Sequence, residues 1–192
     1  MRRCVSTDVL EFWDESQDMI SAVRDKNVAL IGGFFGAIIH DNQIVAILRR
    51  PETFSFLTPI EKVFLHDFLP VTGILTSEFA EEHNVLDNPC SWVLKPSDIY
   101  AGRNIFIGKD FKNSEAKWQK IVADILKSGD IYICQEFIEP YQSLSLSLSY
   151  DESDYEKKPA LYKNSTGIYM SNGRFGGIYS RLGPGYNVGN YT

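Results

Sequence analysis

The spacing of apolar and polar positions divides the chain into two parts of different character. In the first part, apolar residues recur at three- and four-residue intervals, which is typical of amphipathic helices. This spacing predicts helices over residues 7–25, 41–50 and 58–69. The apolar run VALI at residues 28–31 predicts a buried strand between the first two of them.

Residues that favour helix starts stand before each of these helical segments. Thr7 or Asp8 precedes the first segment and Asp41 opens the second. Thr58 precedes the third, where it is followed by a proline and then by Glu61. This order predicts a capping box, in which the Thr58 and Glu61 side chains each accept a hydrogen bond from the backbone N–H of the other residue.

The second part, which follows a polar joint at residues 83–91, is dominated by alternation and short apolar runs typical of strands. One amphipathic helix interrupts it at residues 114–128, with Ser114 as its cap and Gly129 just beyond its end. Asn172-Gly173 predicts a two-residue hairpin of type I′. Strands are predicted over residues 91–95, 104–108, 130–138, 143–150, 160–170 and 174–183.

Helices followed by a largely antiparallel sheet place the chain in the α+β class. We expect a helical segment over residues 1–83, packed against an α+β lobe over residues 84–192. With 192 residues, of which 44% are hydrophobic, the chain can bury a core of one or two lobes.

Composition and charge narrow the function. The net charge of -6 disfavours nucleic acid as the main partner, because phosphate backbones are bound by basic faces. The sequence has no apolar run of about 18 residues, so no membrane span is expected. Residues 1–16 lack the apolar stretch of a secretory signal, and the three cysteines form no CxxC motif. We therefore expect a cytoplasmic protein without a disulfide framework or zinc site; the sequence does not define its oligomeric state.

The first candidate for chemistry is the segment VLKPSDIYAGRN, at residues 93–104. Lys95 at a strand end can reach a phosphate group, Arg103 can add a second charge-assisted contact, and Tyr100 can cover the site. Four small residues can bring backbone N–H groups close to phosphate oxygens. They are Ser97, Ala101, Gly102 and Asn104. The segment lacks both the Walker and the GxGxxG spacing, and an ordinary hairpin with a lysine at one strand end is the alternative.

The second candidate is the segment YICQEFIEP, at residues 132–140. Its backbone can offer one N–H and one C=O to an adenine ring, and its apolar side chains can enclose the ring. Either Glu136 or Glu139 can accept hydrogen bonds from ribose hydroxyls or from the amino group of adenine. The alternative is a central strand that ends at a proline loop.

The two segments taken in order resemble the nucleotide-binding lobe of the ATP-grasp fold. The resemblance is to the circularly permuted branch that includes glutathionylspermidine synthase-like carboxylate–amine ligases. It depends on Leu94-Lys95-Pro96, on Asp98-Ile99-Tyr100 and on Gln135-Glu136-Phe137-Ile138. The stretches at residues 31–75 and 167–183 also resemble that branch, so the likeness extends over most of the chain.

The resemblance implies that the chain is the ATP-binding part of an amide-forming ligase. ATP would phosphorylate a small-molecule or peptide carboxylate, and an amine would displace the acyl phosphate. Lys95 would contact the α- or β-phosphate, the 97–104 loop would cover the phosphates, and residues 135–139 would hold the nucleoside. Arg181 would face the nucleotide or the acyl phosphate, although an exposed or ion-paired arginine is the alternative reading.

Two departures from the family pattern limit what the resemblance implies. Ala101 and Asn104 replace two glycines of the phosphate loop, and Arg103 lies between them. The family holds Mg²⁺ with an Asp and a Glu-x-Asn pair, for which this sequence has no convincing counterpart. We therefore expect the magnesium ligands to lie outside this sequence, in a larger protein, and this chain alone to bind ATP weakly or not at all. The alternative is a degenerate ATP-grasp domain that serves as a non-catalytic structural or nucleotide-sensing module.

Overall fold

A computed structural model of the chain describes residue 9 and residues 11–30, 36–99, 102–146 and 159–186. Helices occupy much of the first half, and one long helix lies in the second half. They are α1 (Trp13–Arg24), α2 (Gly36–His40), α3 (Gln43–Leu48), α4 (Pro51–Phe54), α5 (Pro59–Phe68), α6 (Ser77–Glu82) and α7 (Glu115–Ser128), with short 3₁₀ turns at Pro89–Ser91 and Gly108–Phe111.

The strands form two antiparallel sheets, so the α+β class is confirmed. The first sheet has four strands in the order β1-β4-β2-β3 and the second has three in the order β5-β6-β7. The strands are β1 (Thr72–Ile74), β2 (Trp92–Pro96), β3 (Phe106–Ile107), β4 (Tyr132–Glu136), β5 (Gln142–Ser145), β6 (Ala160–Ser171) and β7 (Arg174–Gly183). No described helix is long and apolar enough to cross a membrane.

The core lies between helix α7 and one face of the four-stranded sheet. Trp118, Val122 and Ile125 fall on one stripe of α7, and all three are buried. They pack in one cluster with strand residues that include Leu94 and Cys134. The indole of Trp118 also donates a 2.8 Å hydrogen bond to the carbonyl of Val85, so its polar atom is satisfied inside the core.

The predicted ends of helices α5 and α7 and the predicted hairpin turn are confirmed, but the Ser114 side chain forms no capping hydrogen bond at the start of α7. Helix α7 ends at Ser128 and is followed by Gly129, which has the left-handed φ of +78° common just after a helix. The capping box of α5 is present, because Thr58 accepts from the Glu61 N–H and the Glu61 carboxylate accepts from the Thr58 N–H. Asn172 and Gly173 have φ values of 48° and 72°, as a type I′ turn between β6 and β7 requires.

The strand predicted at residues 28–31 is wrong for the described residues 28–30. Val28 is 55% exposed, and its N–H donates to the carbonyl of Ala22 in the turn that ends helix α1. The apolar run therefore follows the helix as a surface turn, which the period of the pattern alone could not distinguish from a short buried strand. The predicted caps Thr7 and Asp8, together with Ile31, lie outside the described residues.

Helices α2, α4 and α6 and strand β1 were not predicted, and α6 and β1 lie between residues 70 and 83. Helix α6 is six residues long and is capped by Thr76, whose hydroxyl accepts from the Phe79 N–H. Strand β1 has three residues and pairs with β4, with Thr72 opposite Gln135. The four-stranded sheet therefore takes strands from both sides of the division expected at residue 83.

Candidate functional site

The two predicted segments meet in one cleft because β2 and β4 are neighbours in the four-stranded sheet. Alternation along β2 places Trp92 and Leu94 in the core with α7, and it turns Val93 and Lys95 to the opposite face. The cleft has a volume of about 270 Å³, close to the lower end of the range of about 300–1,000 Å³ for small-molecule sites. It is lined by Val93, Lys95, Ile105, Ile107, Gln135, Glu136, Phe137, Ile138 and Tyr186.

Lys95 is the cationic side chain that lines this cleft. Its ammonium group donates a hydrogen bond to the side-chain carbonyl oxygen of Gln135, which pairs in register with Val93 on the neighbouring strand. Burial lowers the pKa of Lys95 below its ordinary value, because a partly dehydrated ammonium is less favourable than one in water. The ammonium of Lys95 is thus poorly hydrated, and the acceptor of its hydrogen bond is the uncharged side chain of Gln135.

Gln135 is itself held by Thr72 of strand β1. The amide nitrogen of Gln135 donates to the Thr72 hydroxyl at 3.0 Å, and that hydroxyl donates to the Pro70 carbonyl at 2.9 Å. Thr72 is 6% exposed. Sequence reasoning missed Thr72, because a three-residue strand after a proline has too few positions to show alternation.

The chain leaves strand β4 at residues 136–138. The N–H of Glu136 donates to the Val71 carbonyl at 2.8 Å, and the Glu136 carboxylate accepts from the Val71 N–H at 3.2 Å. The N–H of Phe137 donates to the Ser91 carbonyl at 2.7 Å. Among the described residues, no hydrogen bond uses the N–H of Ile138, whose side chain is 62% exposed. The Ile138 N–H is therefore a backbone donor without a partner among the described residues, on a residue that lines the cleft.

Glu139, predicted as a ribose contact, is not among the residues that line the cleft and is ion-paired with Lys109. The hydrogen bond from Lys109 to Glu139 raises the pKa of the Lys109 ammonium. The same ammonium lies 4.5 Å from the centre of the Phe137 ring. This ion pair anchors the segment that follows β4 to the turn that follows β3.

Tyr186, which follows the last strand of the second sheet, also lines the cleft, and it was not predicted from the sequence. Its ring meets the Phe137 ring edge-on at a centroid distance of 5.2 Å. On β6, the ammonium of Lys163 lies 3.3 Å from the centre of the Tyr186 ring. The GPGY turn that carries Tyr186 predicts a loop but gives no sign of its spatial neighbours.

Ser97, the first residue of the predicted phosphate loop, is held by backbone hydrogen bonds to two other segments. The N–H of Ser97 donates to the Ile131 carbonyl at 2.9 Å, and the Ser97 carbonyl accepts from the backbone N–H of Asn42 at 2.8 Å. The Asn42 side chain also donates to the Pro96 carbonyl at 2.9 Å. Asn42, which stands just before helix α3, was not predicted as part of the site.

Further along the loop, Gly102 and Asn104 have positive φ values of 68° and 55°. Glycine and asparagine are the residues that adopt this conformation most readily, so the Asn104 replacement is compatible with the backbone. Arg103 lines a neighbouring cavity of about 500 Å³ together with Asp98, Ile99 and Asn104. Tyr100 and Ala101 lie outside the described residues.

Arg181 is not among the residues that line either cavity. It lies on β7 opposite Ser165, is exposed, and places its guanidinium 5.2 Å from the centre of the Tyr179 ring. Within the described residues, no group of three or more His, Cys, Asp or Glu side chains could hold a metal ion. The Glu136 and Glu139 carboxylates are bonded to Val71 and Lys109, so these residues do not fit a magnesium site.

The chain matches no protein-family model and no curated protein sequence.

The described cleft offers three chemical features within one small volume. Lys95 supplies a positive charge, the Ile138 N–H supplies a directional donor, and Ile107 with Phe137 supplies apolar surface. A flat heterocycle with an attached anionic group matches this combination, because the apolar walls favour the ring and the ammonium favours the anion.

Proposed function

We propose that the cleft between β2 and β4 binds ATP and that the chain is the ATP-binding part of a carboxylate–amine ligase. The observation that carries the proposal is that Lys95, Gln135 and Ile138 line one cleft, although Lys95 is 40 residues away from Gln135 in the sequence. The motif resemblance to circularly permuted ATP-grasp ligases supports the same function.

In this proposal the adenine ring lies against the apolar walls and accepts a hydrogen bond from the Ile138 N–H. Lys95 keeps its hydrogen bond to the Gln135 carbonyl and donates from a second N–H of its ammonium to a phosphate oxygen, a contact between opposite charges. The loop that begins at Ser97 covers the phosphates and adds Arg103 as a second cation.

The proposed reaction has two steps. A carboxylate oxygen attacks the γ-phosphorus of ATP, and ADP leaves with the electron pair of the broken P–O bond. The amine nitrogen of the second substrate then attacks the acyl carbon, phosphate leaves, and the nitrogen loses a proton to give the amide. Lys95 lowers the energy of the charge that moves onto the phosphates.

A second candidate is a degenerate ATP-grasp domain that acts as a nucleotide-sensing or structural module. The observation that favours it is that the described residues contain no cluster that could hold a metal ion. Binding without turnover would separate this candidate from the ligase.

Isothermal titration calorimetry with ATP and magnesium tests the shared part of the proposal. We expect weak but saturable binding that falls at least tenfold in Lys95→Ala, because the phosphates lose their main cation. Lys127→Ala is the matched control, since Lys127 is exposed on α7, which packs on the face of the sheet opposite to the cleft. Circular dichroism of each variant checks that the fold is retained.

Saturable binding that is equal in wild type and Lys95→Ala would overturn the assignment of the cleft, and no binding at millimolar ATP would overturn nucleotide binding by this chain. A coupled assay for ADP, with and without pools of carboxylates and amines, addresses the chemistry. ADP release that requires both pools supports the ligase, whereas binding without release supports the module.

A further inference from the structure

A continuous chain of hydrogen bonds links the cleft to the backbone beneath it. Lys95 donates to the side-chain oxygen of Gln135, the Gln135 amide nitrogen donates to Thr72, and the Thr72 hydroxyl donates to the Pro70 carbonyl. Its members come from strands β2, β4 and β1, which lie side by side in the same sheet. The backbone hydrogen bonds between these neighbouring strands therefore fix the distances between Lys95, Gln135 and Thr72.

The direction of this chain is set at its buried end. A hydroxyl group has one proton, and the Thr72 proton is directed to a carbonyl that can only accept. Towards Gln135 the Thr72 oxygen can therefore only accept, so it requires the NH₂ end of the amide. The carbonyl end of Gln135 is then left facing Lys95, where an acceptor is needed.

The reversed amide would be unfavourable at both ends. The Gln135 oxygen would face the Thr72 oxygen, and the Gln135 NH₂ group would face the ammonium of Lys95. Thr72 is buried and Lys95 is partly buried, so water has little access to relieve either clash. A buried polar group left without a partner is destabilising, so the reversed orientation is disfavoured.

We propose that Thr72 is a positioning residue of the cleft. Its hydroxyl fixes the orientation of the Gln135 amide, and through that amide it holds the ammonium of Lys95 in place for an anionic ligand. The orienting role stands on the protein alone, whereas its consequence for ATP rests on the proposed function. Thr72 touches no ligand in this scheme.

Two variants separate the hydroxyl from the shape of the side chain. Thr72→Val replaces the hydroxyl with a methyl group of similar size, and Thr72→Ser keeps the hydroxyl. Thr166→Val is the control, because Thr166 is an exposed strand threonine on β6 outside the cleft. Proton–nitrogen NMR correlation spectra report the two Gln135 side-chain amide protons, and ¹⁵Nζ spectra report Lys95.

In wild type we expect one Gln135 amide proton to be hydrogen-bonded and slow to exchange, and the Lys95 ammonium to give a resolved signal. Thr72→Val abolishes that slow exchange and broadens or shifts the Lys95 signal, whereas Thr72→Ser and Thr166→Val preserve both. ATP affinity falls about threefold to tenfold in Thr72→Val alone, the range expected for one hydrogen bond.

The outcomes distinguish this inference from the proposed function. If ATP does not bind but Thr72→Val changes the Gln135 and Lys95 signals, the proposed function fails and the orienting role stands. If Lys95→Ala weakens ATP binding but Thr72→Val leaves the signals and the affinity unchanged, the orienting role is overturned. If Thr72→Val does not fold, the wild-type spectrum decides, because two freely exchanging Gln135 amide protons also overturn it.

Discussion

Cys134 shows at the scale of a single residue how burial controls chemistry. It lies on β4, is fully buried, and belongs to the cluster that packs against helix α7. Burial raises the pKa of its thiol to about 12, because the thiolate would have to sit in apolar surroundings. The thiol on the core side of the strand is therefore inert, while Gln135, the next residue, turns to the cleft.

Because of this raised pKa, the free energy of unfolding should decrease at alkaline pH. An unfolded cysteine titrates near a pKa of about 8.5, so between about pH 8.5 and 12 the unfolded chain binds fewer protons than the folded one. The free energy of unfolding therefore falls as pH rises through this window. Between about pH 7.5 and 9.5, urea denaturation should show a loss about 1 kcal/mol larger for wild type than for Cys134→Ala.

Cys90→Ala is the control for that measurement, since Cys90 is only half-buried. It should keep the wild-type dependence on pH. Equal losses in wild type and Cys134→Ala would contradict the assignment of the alkaline effect to Cys134.

Sequence patterns predicted the cleft residues that follow apolar strand runs, but not the residues that contact them from other elements. Lys95 and Gln135 each follow an apolar strand run, so both could be proposed from local sequence. Thr72 and Tyr186 could not, because their positions depend on which strand pairs with β4 and on how the second sheet meets Phe137. Whether Ser97, Arg103 and Glu139 contact a nucleotide stays a prediction.

At the scale of elements, Gly108 is the first residue of the 3₁₀ turn Gly108–Phe111 and packs against the 3₁₀ turn Pro89–Ser91. A Cβ at this position would lie 1.7 Å from the carbonyl oxygen of Pro89 and 3.0 Å from that of Trp92. Both are backbone atoms, so the turn at Pro89–Ser91 or the turn at Gly108–Phe111 would have to move. The turns precede β2 and follow β3, and the displacement would reach the strands that carry the cleft.

Gly108→Ala is therefore expected to destabilise the protein by about 3 kcal/mol or more, the cost of forcing atoms into a packed region. Gly129→Ala is the comparison, because Gly129 has a positive φ but no atom within 4 Å of the added Cβ. That variant should cost only about 1–2 kcal/mol, the strain of a left-handed alanine. Urea denaturation of both variants checks the order, and a Gly108→Ala loss no larger than the Gly129→Ala loss would contradict it.

Elements with strong local signals were predictable, and those defined by distant partners were not. The capping box of α5, the glycine after α7 and the Asn172-Gly173 turn each depend on a few adjacent residues, and all three are confirmed. Strand β1 owes its existence to the ladder with β4, because a three-residue strand is not stable without pairing. The strand predicted for the VALI run is wrong at residues 28–30 for the converse reason. The run is apolar, but no described strand pairs with these residues.

At the scale of the whole molecule, the two sheets differ in how they are stabilised. The four-stranded sheet packs against α7 through a continuous buried core. In strands β5 to β7, by contrast, Gly183 is the only buried residue, so the second sheet gains little from burial of side chains. Among the described ring contacts, its link to the first sheet is Tyr186, which follows β7 and meets the Phe137 ring.

Tyr186 should therefore control the local stability of the second sheet. Its removal loses the edge contact with Phe137 and the cation–π contact with Lys163, which together contribute about 1–2 kcal/mol. In hydrogen–deuterium exchange, Tyr186→Ala should speed exchange of β6 and β7 about tenfold, because opening of that sheet becomes easier. Exchange in β2 and β4 should not change, since their core contacts are intact.

Tyr169→Ala is the matched control, because the Tyr169 ring is exposed and packs only on Tyr179 within the same sheet among the described ring contacts. It should leave the exchange of β7 nearer to wild type than Tyr186→Ala does. Equal exchange in the two variants would mean that the second sheet is stabilised independently of the cleft. Faster exchange confined to Tyr186→Ala would mean that the second sheet depends on the contacts of Tyr186 with Phe137 and Lys163 for its local stability.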